Sequence, residues 1–365
     1  MRLEVHKNGT KLFFVTICVT GRRAILSELV DEKTRPALLP PGEWVHSVLL
    51  AMHRVWPAVG VSDYVIMPDH VHFLMVVDYL RAPGFNPLWA THRLLDAVEA
   101  GWNRRGSFPA PLDAVAELSA AVAAGRRVAA GLAVPGCGAV PAVPGCGAAG
   151  PGPCVRFERS PWLALAFDPR QLKAIRHYIR LNPARKLWKL RHPDLFACHR
   201  AILAARLKRF APRRFDGLGN LALLGSPFLL HVRLTLKKTV AEHRAAIDEI
   251  VEKARLGWVP VSGFISPGEK EALRRLKAEP RARFIRLLPH TLPDRYDPSA
   301  EDSREIAAGR LAVISPFSAV AAISSRDMRE NAAAAHAFRA NCLLMNELAA
   351  RLCEETDSPV IKSAR

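Results

Sequence analysis

The sequence predicts two globular units that both combine strands with helices. At 365 residues the chain is longer than a typical single domain. In its first part, apolar strand-like segments flank two histidines, and a segment with helical spacing follows at residues 170–181. From residue 240 onwards, helical and strand-like segments alternate, which is typical of α/β domains with a parallel sheet. We therefore expect a mixed first unit followed by an α/β unit.

The segment around His70 and His72 is the first candidate for chemistry. Apolar runs at residues 64–67 and 73–77 lie on either side of the pair and indicate one buried strand. Residues two apart on a strand point to the same face, so the two imidazoles project together. Such a pair can bind a divalent cation if a third group reaches it from elsewhere in the fold. Taken alone, a His-x-His pair on a strand is more often an exposed or structural pair than a metal site.

Residues 170–181 form a predicted helix, because apolar residues recur there at three- and four-residue intervals. Pro183 marks its expected end, since proline disrupts a helix interior. Tyr178 and Asn182 are four residues apart and share a helix face, which puts a phenol beside an amide oxygen that can act as a hard ligand. Because the residue before a proline avoids helical dihedrals, we expect Asn182 at the helix end. Taken singly, Tyr178 would be a half-buried ring and Asn182 a helix stop.

Together these segments resemble the motifs of a known transposase family. The Met-Pro-Asp-His-Val-His sequence at 67–72, followed by Tyr-Ile-Arg-Leu-Asn-Pro-Ala-Arg at 178–185, resembles the single-tyrosine HUH transposases, specifically the REP-associated tyrosine transposases. Residues 11–23 are similar to the first strand of that family and the residues after it. The resemblance covers roughly the first 200 residues. Asp69 stands where asparagine is common and Ala184 where valine is common, and a long insertion precedes the tyrosine.

The resemblance implies a fold and a set of residue roles. The fold is α+β, a ferredoxin-like antiparallel sheet with flanking helices. Tyr178 is implied as the catalytic nucleophile, and His70, His72 and Asn182 as the ligands of Mg²⁺ or Mn²⁺. The implied substrate is single-stranded DNA, in hairpin or palindromic repeats, which a DNA transposase cleaves and rejoins through a 5′-phosphotyrosine intermediate.

The residues also support this chemistry without the family. A phenol with a pKa of about 10 is a poor nucleophile at neutral pH, so the scissile phosphate must be activated. A divalent cation can do so as Lewis acid and template. Attack by tyrosine leaves a free 3′-hydroxyl, and a second 3′-hydroxyl can rejoin the strands without an external energy source. Two alternatives stay open: a domesticated, catalytically silent DNA-binding protein on the same fold, and a metal hydrolase that uses the histidines with water.

The charge of the chain favours a nucleic-acid partner. Its 52 Lys and Arg residues against 34 Asp and Glu residues give a formal net charge of +18. Near the motifs, Arg22, Arg23, Arg185 and Lys186 are the predicted DNA contacts, and a solvated basic surface is the alternative for each. Four tryptophans are candidates for base stacking, although a core position is the commoner role for each: Trp56, Trp102, Trp162 and Trp188.

Cysteine use and apolar patterning indicate the compartment. The seven cysteines are scattered and odd in number. With no apolar signal segment at the N-terminus and no apolar run long enough to span a bilayer, we expect reduced thiols in a bacterial cytoplasmic protein that associates with the nucleoid and has no membrane partner. A homodimer stays open, because the tyrosine can act in its own subunit or in a partner's.

The first unit is predicted to span residues 1–200. Within it, residues 105–153 form a predicted low-complexity insert. Alanine-rich residues 112–130 favour a helix, and a tandem Ala-Val-Pro-Gly-Cys-Gly-Ala repeat follows. The spacing of Cys137 and Cys146 within this repeat does not fit a zinc knuckle. We expect the insert to bury no core and to protrude as a loop.

Residues 201–239 are predicted as a connection and residues 240–365 as a Rossmann-like α/β domain. Small residues around Gly263 predict a strand-to-helix turn whose backbone amides can hold a phosphate, although no full G-x-G-x-x-G is present. This part distantly resembles the DNA-processing protein and lysine-decarboxylase-like Rossmannoid group, with a structural or DNA-holding module as the alternative. Helices are predicted at 240–256, 267–278 and 326–355, and strands at 258–265, 283–288 and 310–315.

Overall fold

The computed structural model describes residues 9–31, 35–105, 111–130, 154–234, 239–354 and 361–362. The chain divides into two compact units, Met1–Leu187 and Trp188–Arg365. This division corrects two predictions about the domains. The boundary lies before residue 200, and the predicted connection at 201–239 belongs to the second unit because it contributes strands to the sheet of that unit.

The first unit is built on a four-stranded sheet with helices on both faces. A 3₁₀ turn at Thr20–Arg22 follows the first strand, and two short strands, Ser27–Glu28 and Ala37–Leu38, then pair in a separate ribbon. The elements in chain order are β1 (Thr10–Cys18), β2 (Ser27–Glu28), β3 (Ala37–Leu38), α1 (Pro40–Val55), β4 (Val59–Ile66), β5 (His70–Asp78), α2 (Pro87–Arg105), α3 (Pro111–Ala130), β6 (Trp162–Ala166) and α4 (Pro169–Arg191).

The four-stranded sheet has the order β4-β5-β1-β6, and every neighbouring pair is antiparallel. Side chains alternate along β1, so Val15 and Ile17 face a core with α1, α2 and α3, whereas Leu12 and Phe14 face α4. The order and directions of the four strands are those of a ferredoxin-like fold. The predicted α+β class is therefore confirmed.

The predicted single strand around the histidines is a β-hairpin. β4 and β5 are joined by a turn at Pro68 and Asp69, and the N–H of Met67 donates to the carbonyl of His70 at 2.8 Å. Proline has no N–H to give to a ladder and favours turns, so it interrupts the apolar run. His70 and His72 consequently open β5 and still share one face.

The alanine-rich part of the insert is a packed helix. The helix predicted there is confirmed by α3, but the expectation that the insert buries no core is wrong for this part. Ala114 and Leu118 lie four residues apart on one face and are fully buried with residues of α1 and α2. On the same helix, Glu117 Oε2 accepts from Arg104 Nη2 of α2 at 2.5 Å. The Pro/Gly-rich repeat lies outside the described residues.

α4 continues through Pro183 to its end at Arg191, so the predicted helix end is wrong. A proline inside a helix removes one backbone hydrogen bond and costs about 3 kcal/mol. The side chains of this turn are nevertheless buried, including Asn182, Ala184 and Leu187. Their burial offsets the local cost of the proline. Asn182 therefore lies within the helix and not at a frayed end.

Gly101 of α2 makes room for Trp44 in the core of the first unit. A Cβ atom on Gly101 would lie 2.4 Å from Trp44 Cζ2. Trp44 is fully buried, and its indole N–H donates to the carbonyl of Val98 at 3.1 Å. We expect Gly101→Ala to lower the free energy of unfolding by about 1–3 kcal/mol, because the added methyl displaces a fixed ring. Urea denaturation of the full chain measures this.

Gly84→Ala is the matched control for that substitution. A Cβ atom on Gly84 would meet no atom within 4 Å, so the change is expected to alter the free energy of unfolding by less than about 0.5 kcal/mol. At Gly101, which lies within α2, alanine would be more favourable than glycine by about 1 kcal/mol if the added methyl met no other atom. A stabilised Gly101→Ala variant would therefore contradict the packing of α2 against Trp44.

The second unit is a six-stranded sheet between two layers of helices. It also has 3₁₀ segments at Ala205–Phe210 and Leu221–Gly225. The elements in chain order are α5 (Pro193–Phe196), β7 (Asp216–Gly219), β8 (Leu229–Arg233), α6 (Val240–Arg255), β9 (Val259–Ser262), α7 (Pro267–Ala278), β10 (Phe284–Leu287), α8 (Ala300–Ala307), β11 (Leu311–Ser315), α9 (Ser325–Glu330), α10 (Ala332–Cys353) and β12 (Ile361–Lys362).

The sheet of the second unit has the order β12-β8-β9-β10-β11-β7. All neighbours are parallel except β7, which pairs antiparallel with β11. α6, α7 and α8 connect successive parallel strands and pack on one face, and α10 packs on the other. This confirms the predicted α/β class. The predicted long terminal helix is divided at Asn331, whose side chain accepts from the first amides of α10.

The structure also bears on the cysteines and on membrane-spanning helices. The five cysteines in the described part of the chain are free thiols, and the repeat cysteines Cys137 and Cys146 lie outside it. Within the described ranges, no helix combines the length and the apolar character needed to cross a membrane.

Candidate active site

The face of the sheet under α4 carries a row of four side chains. His72 pairs with Val65 of β4 and with Thr16 of β1, and Thr16 pairs with Trp162 of β6. Residues paired across antiparallel strands share a face, so this row crosses all four strands. His70 lies on the same face of β5, two residues before His72.

α4 brings Tyr178 and Asn182 over the two histidines. Its apolar residues are buried among those of the sheet, which fixes the side of the helix that faces the strands. Tyr178 Oη lies 3.5 Å from His72 Nε2, and Asn182 Nδ2 lies 3.4 Å from His70 Nε2. The structure therefore brings all four residues predicted for catalysis and metal binding together, although they come from segments about 110 residues apart in the chain.

Each histidine is oriented by a hydrogen bond at its Nδ1 atom. His70 Nδ1 lies 2.8 Å from Asp69 Oδ1, and His72 Nδ1 lies 2.8 Å from Thr16 Oγ1. An ionised carboxylate only accepts, so His70 Nδ1 donates, and in the neutral tautomer this arrangement leaves a lone pair on Nε2. The hydroxyl of Thr16 can accept in the same way from His72. Both histidines thus direct Nε2 towards the α4 residues as potential ligands.

Burial and neighbouring charges set the protonation of the site. Burial lowers the pKa of His72 to about 3, and the charges of His70 and Arg22 act in the same direction. His72 is therefore neutral at physiological pH, which is the form that binds metals. The hydrogen bond from His70 lowers the pKa of Asp69 below its usual value, with the charges of Lys186 and Arg22 adding to the effect. Asp69 stays ionised as the acceptor for His70.

The donor set fits a divalent cation. His70 and His72 offer imidazole nitrogens, and a half-turn of the Asn182 amide presents its oxygen, a hard ligand, in place of Nδ2. Water and phosphate oxygens complete the coordination that Mg²⁺ or Mn²⁺ prefers. No three His, Cys, Asp or Glu side chains among the described residues are arranged to hold a metal.

Three of the predicted DNA contacts lie at the surface near the His70 end of the sheet. Arg22 is exposed, and its Nη1 lies 3.7 Å from Asp69 Oδ2. Arg23 is also exposed and donates to the carbonyl of Cys154 at 2.7 Å. Lys186 is half-buried and close enough to Asp69 to influence its pKa. Arg22 and Lys186 therefore lie near Asp69, in the turn that precedes the histidines.

Arg185, the fourth predicted contact, is buried. Its guanidinium carbon lies 5.4 Å from the centroid of the Tyr178 ring. Tyr178, Asn182 and Arg185 follow each other at four- and three-residue intervals, so they share one face of α4. The positive charge of Arg185 is therefore placed beside the phenol and not on the outer surface.

Two further arginines, Arg104 and Arg206, have partners within the protein. Arg104 pairs with Glu117 between α2 and α3. Arg206 donates to three backbone carbonyls of the second unit, those of Leu224, Ser226 and Leu352.

Two residues of the site were missed by the sequence reasoning. Thr16 was part of a predicted strand, but its bond to His72 depends on the register between β1 and β5. Asp63 of β4 binds α4, since its Oδ2 accepts from Arg176 Nε at 2.9 Å and its Oδ1 lies 3.9 Å from Arg180 Nη2. These arginines flank Tyr178, so Asp63 helps to hold the tyrosine over the sheet. In the sequence, each of the two is a polar residue within a mostly apolar strand.

The predicted phosphate-binding turn after β9 is filled by the protein's own carboxylate. Glu269 Oε2 accepts from the N–H of Ile265 at 3.0 Å and from that of Ser266 at 3.2 Å. Ser266 Oγ accepts in return from the N–H of Glu269 at 3.3 Å. A Cβ atom on Gly263 would lie 2.1 Å from Met345 Cε, so α10 closes the turn from the other side. The amides are therefore occupied and do not form an open anion site.

Comparison with known proteins gives little that bears on this site. No family model and no curated protein matches the chain. Among solved structures, DNA processing protein A from Helicobacter pylori, described for its single-stranded DNA binding mode, is similar with a TM-score of 0.29 and 16% identity. The similarity covers 43% of this chain and 79% of that one. A similarity at this score carries no conclusion about fold or activity, so the function must be inferred from the site itself.

Proposed function

We propose that the first unit is a metal-dependent DNA strand transferase of the REP-associated tyrosine transposase type. The observation that carries the proposal is the approach of Tyr178 Oη to within 3.5 Å of His72 Nε2, with Asn182 3.4 Å from His70 Nε2 on the same side of the sheet. The resemblance names the same four residues in the same order along the chain. The formal net charge of +18 is consistent with a polyanionic substrate.

In the proposed reaction, Tyr178 Oη attacks a backbone phosphorus of single-stranded DNA. The Oη–P bond forms and the P–O3′ bond breaks, the phenol proton passes to solvent, and the 3′-oxygen takes a proton from water to leave as a hydroxyl. The strand carrying the 5′-phosphate is then attached to Tyr178. Attack on this phosphotyrosine by another 3′-hydroxyl re-forms a phosphodiester and releases the phenol. Hairpin or palindromic repeats are the proposed substrates.

The surrounding residues have separate roles in this proposal. His70, His72 and Asn182 would hold Mg²⁺ or Mn²⁺, which when bound polarises the phosphate and stabilises the leaving oxygen as a Lewis acid. With a pKa of about 3, His72 is a poor proton acceptor and is assigned as a ligand and not as a general base. Arg185 places a fixed positive charge where negative charge develops during attack by Tyr178.

The proposal is tested by incubating the full chain with labelled single-stranded hairpin DNA and Mg²⁺ or Mn²⁺, followed by a denaturing gel. A metal-dependent protein–DNA adduct that survives denaturation is the expected result. DNA binding without an adduct in either metal would favour the domesticated binding protein. Cleaved DNA with a free 5′-phosphate and no adduct would favour the metal hydrolase.

The bond from His70 to Asp69 gives a prediction about metal affinity. We expect Asp69→Ala to weaken Mn²⁺ binding by about 10- to 100-fold, because His70 loses the carboxylate that fixes its tautomer and ring orientation. Isothermal titration calorimetry with Mn²⁺ measures the change. Asp78→Ala, at the opposite end of β5, is the control and should bind Mn²⁺ like the wild type. Unchanged affinity in a folded Asp69→Ala protein would argue against His70 as a ligand.

A further inference from the structure

Trp162 is unusually exposed for a tryptophan. The side chain is 56% exposed, whereas Trp44, Trp56 and Trp188 are buried. Leaving a large aromatic ring in water forfeits the free energy that its burial would supply. Of the four tryptophans considered for base stacking, Trp162 combines this exposure with a place in the row of the candidate site.

Trp162 is the member of this row that lies at the edge of the described sheet, on β6. It pairs with Thr16, which in turn pairs with His72, so two strand spacings of about 4.8 Å separate it from the metal-ligand candidate. The four side chains of this row lie on the face of the sheet against which α4 packs, with Tyr178 among the residues of that helix. α4 covers His72, which is 6% exposed, but leaves Trp162 open to solvent.

Phe14 links the exposed ring to the nucleophile. Its ring centroid lies 5.5 Å from that of Trp162 at an interplanar angle of 82°, and 6.0 Å from that of Tyr178 at the same angle. An edge-on contact of this kind holds an aromatic ring in a defined orientation. The indole of Trp162 is therefore supported from the core side, and more than half of its surface remains available.

We propose that Trp162 stacks on a base of the single strand close to the phosphate that Tyr178 attacks, and so positions the strand across the site. This inference rests on the proposed function and names a residue that binds its substrate. An exposed ring beside a polar, positively charged site suits a nucleobase, because stacking needs one aromatic face, whereas a protein interface needs a contiguous apolar patch. Stacking on an aromatic side chain tolerates any base, so Trp162 contributes affinity and placement more than sequence recognition.

An abasic-site scan tests the inference. The probe is a fluorescein-labelled single-stranded hairpin oligonucleotide, intact or with one base removed at each position in turn, and binding is followed by anisotropy with chelator present. We expect Trp162→Ala to weaken binding of the intact strand by about tenfold. In the wild type, removal of the base that stacks on Trp162 should weaken binding by a similar factor. In Trp162→Ala, removal of that base should have no further effect.

Three variants serve as controls. Trp162→Phe keeps an aromatic face and should lose less than about threefold in affinity, whereas Trp162→Leu keeps apolar bulk and should lose as much as the alanine variant. Phe228→Ala removes a ring of the second unit that is 52% exposed and should bind like the wild type. Wild-type affinity in Trp162→Ala, or an undiminished effect of every abasic position in that variant, would overturn the inference.

The outcome separates this inference from the proposed function. An adduct on Tyr178 with no effect of Trp162 on binding would leave the strand transferase standing and remove the stacking role. Binding that depends on Trp162 without any adduct would leave the stacking role standing and remove the chemistry. A wild-type protein that binds no single strand would overturn both.

Discussion

Replacement of Tyr178 by phenylalanine is expected to lower formation of the covalent DNA adduct by at least about 10³-fold, because the only oxygen that can form the phosphotyrosine bond is lost. The ring keeps its contacts with His72 and Phe14, whose centroids lie 5.3 Å and 6.0 Å away, so the helix face should stay in place. DNA binding is accordingly expected to change by less than about twofold. A denaturing gel quantifies the adduct, and anisotropy measures the binding.

Tyr79→Phe is the matched control for the nucleophile. Tyr79 is a half-buried ring that packs against Phe13, on the opposite face of β1 from Phe14. Loss of its hydroxyl should leave adduct formation unchanged. An adduct that persisted in Tyr178→Phe would show that another group attacks the phosphate.

Replacement of His72 by alanine is expected to have the second largest effect, a loss of about 10²-fold or more in adduct formation at limiting Mn²⁺. Removal of a residue that only orients a metal ligand lowers metal affinity or activity by about 10- to 100-fold. Removal of a ligand itself should lower them at least as much. High Mn²⁺ concentrations should restore part of the rate, because the remaining ligands still bind weakly. No concentration of Mn²⁺ should restore Tyr178→Phe, which separates a ligand from a nucleophile.

His46→Ala is the control for loss of an imidazole. His46 lies on α1, and its Nε2 atom is 2.7 Å from the hydroxyl of Tyr64, away from the face that carries His72. Its removal should leave both Mn²⁺ binding and the adduct unchanged. Equal loss in the two variants, or a His72→Ala protein with wild-type dependence on Mn²⁺, would contradict the assignment of His72 as a ligand.

The central residues of the site could be predicted because their relations are local. His70 and His72 share a face through the two-residue repeat of a strand, and Tyr178 and Asn182 share one through the four-residue spacing of a helix. Neither relation depends on the rest of the fold. The resemblance then supplied what periodicity cannot, namely that these two faces meet.

Two of the predictions that failed depended on tertiary packing. Pro183 reads as a helix end, but the buried turn around it favours continuation of α4. Residues 216–219 lie in the predicted connection, yet they form β7 because β11 supplies the backbone partners. Gly219 fits there with a φ of +86°, and a Cβ atom would lie 2.3 Å from the carbonyl oxygen of Leu311. Such tertiary contacts outweigh the intrinsic preference of individual residues for helix, strand or turn.

The supporting residues of the site depended on strand register. The bond from Thr16 to His72 and the place of Trp162 in the same row follow from the pairing of β1 with β5 and β6. A shift of one residue would turn each of these side chains to the other face. The sequence shows no turn between β1 and either partner that could fix this register in advance.

The most direct test of the proposed chemistry is mass spectrometry of the adduct after trypsin digestion. Cleavage after Arg176 and Arg180 releases residues 177–180, a peptide with Tyr178 as its one tyrosine. We expect this peptide to carry the mass of the 5′-phosphorylated nucleotide remaining after nuclease treatment. The same mass on a peptide with Tyr64, Tyr79 or Tyr296, or strand cleavage with no modified peptide, would contradict Tyr178 as the nucleophile.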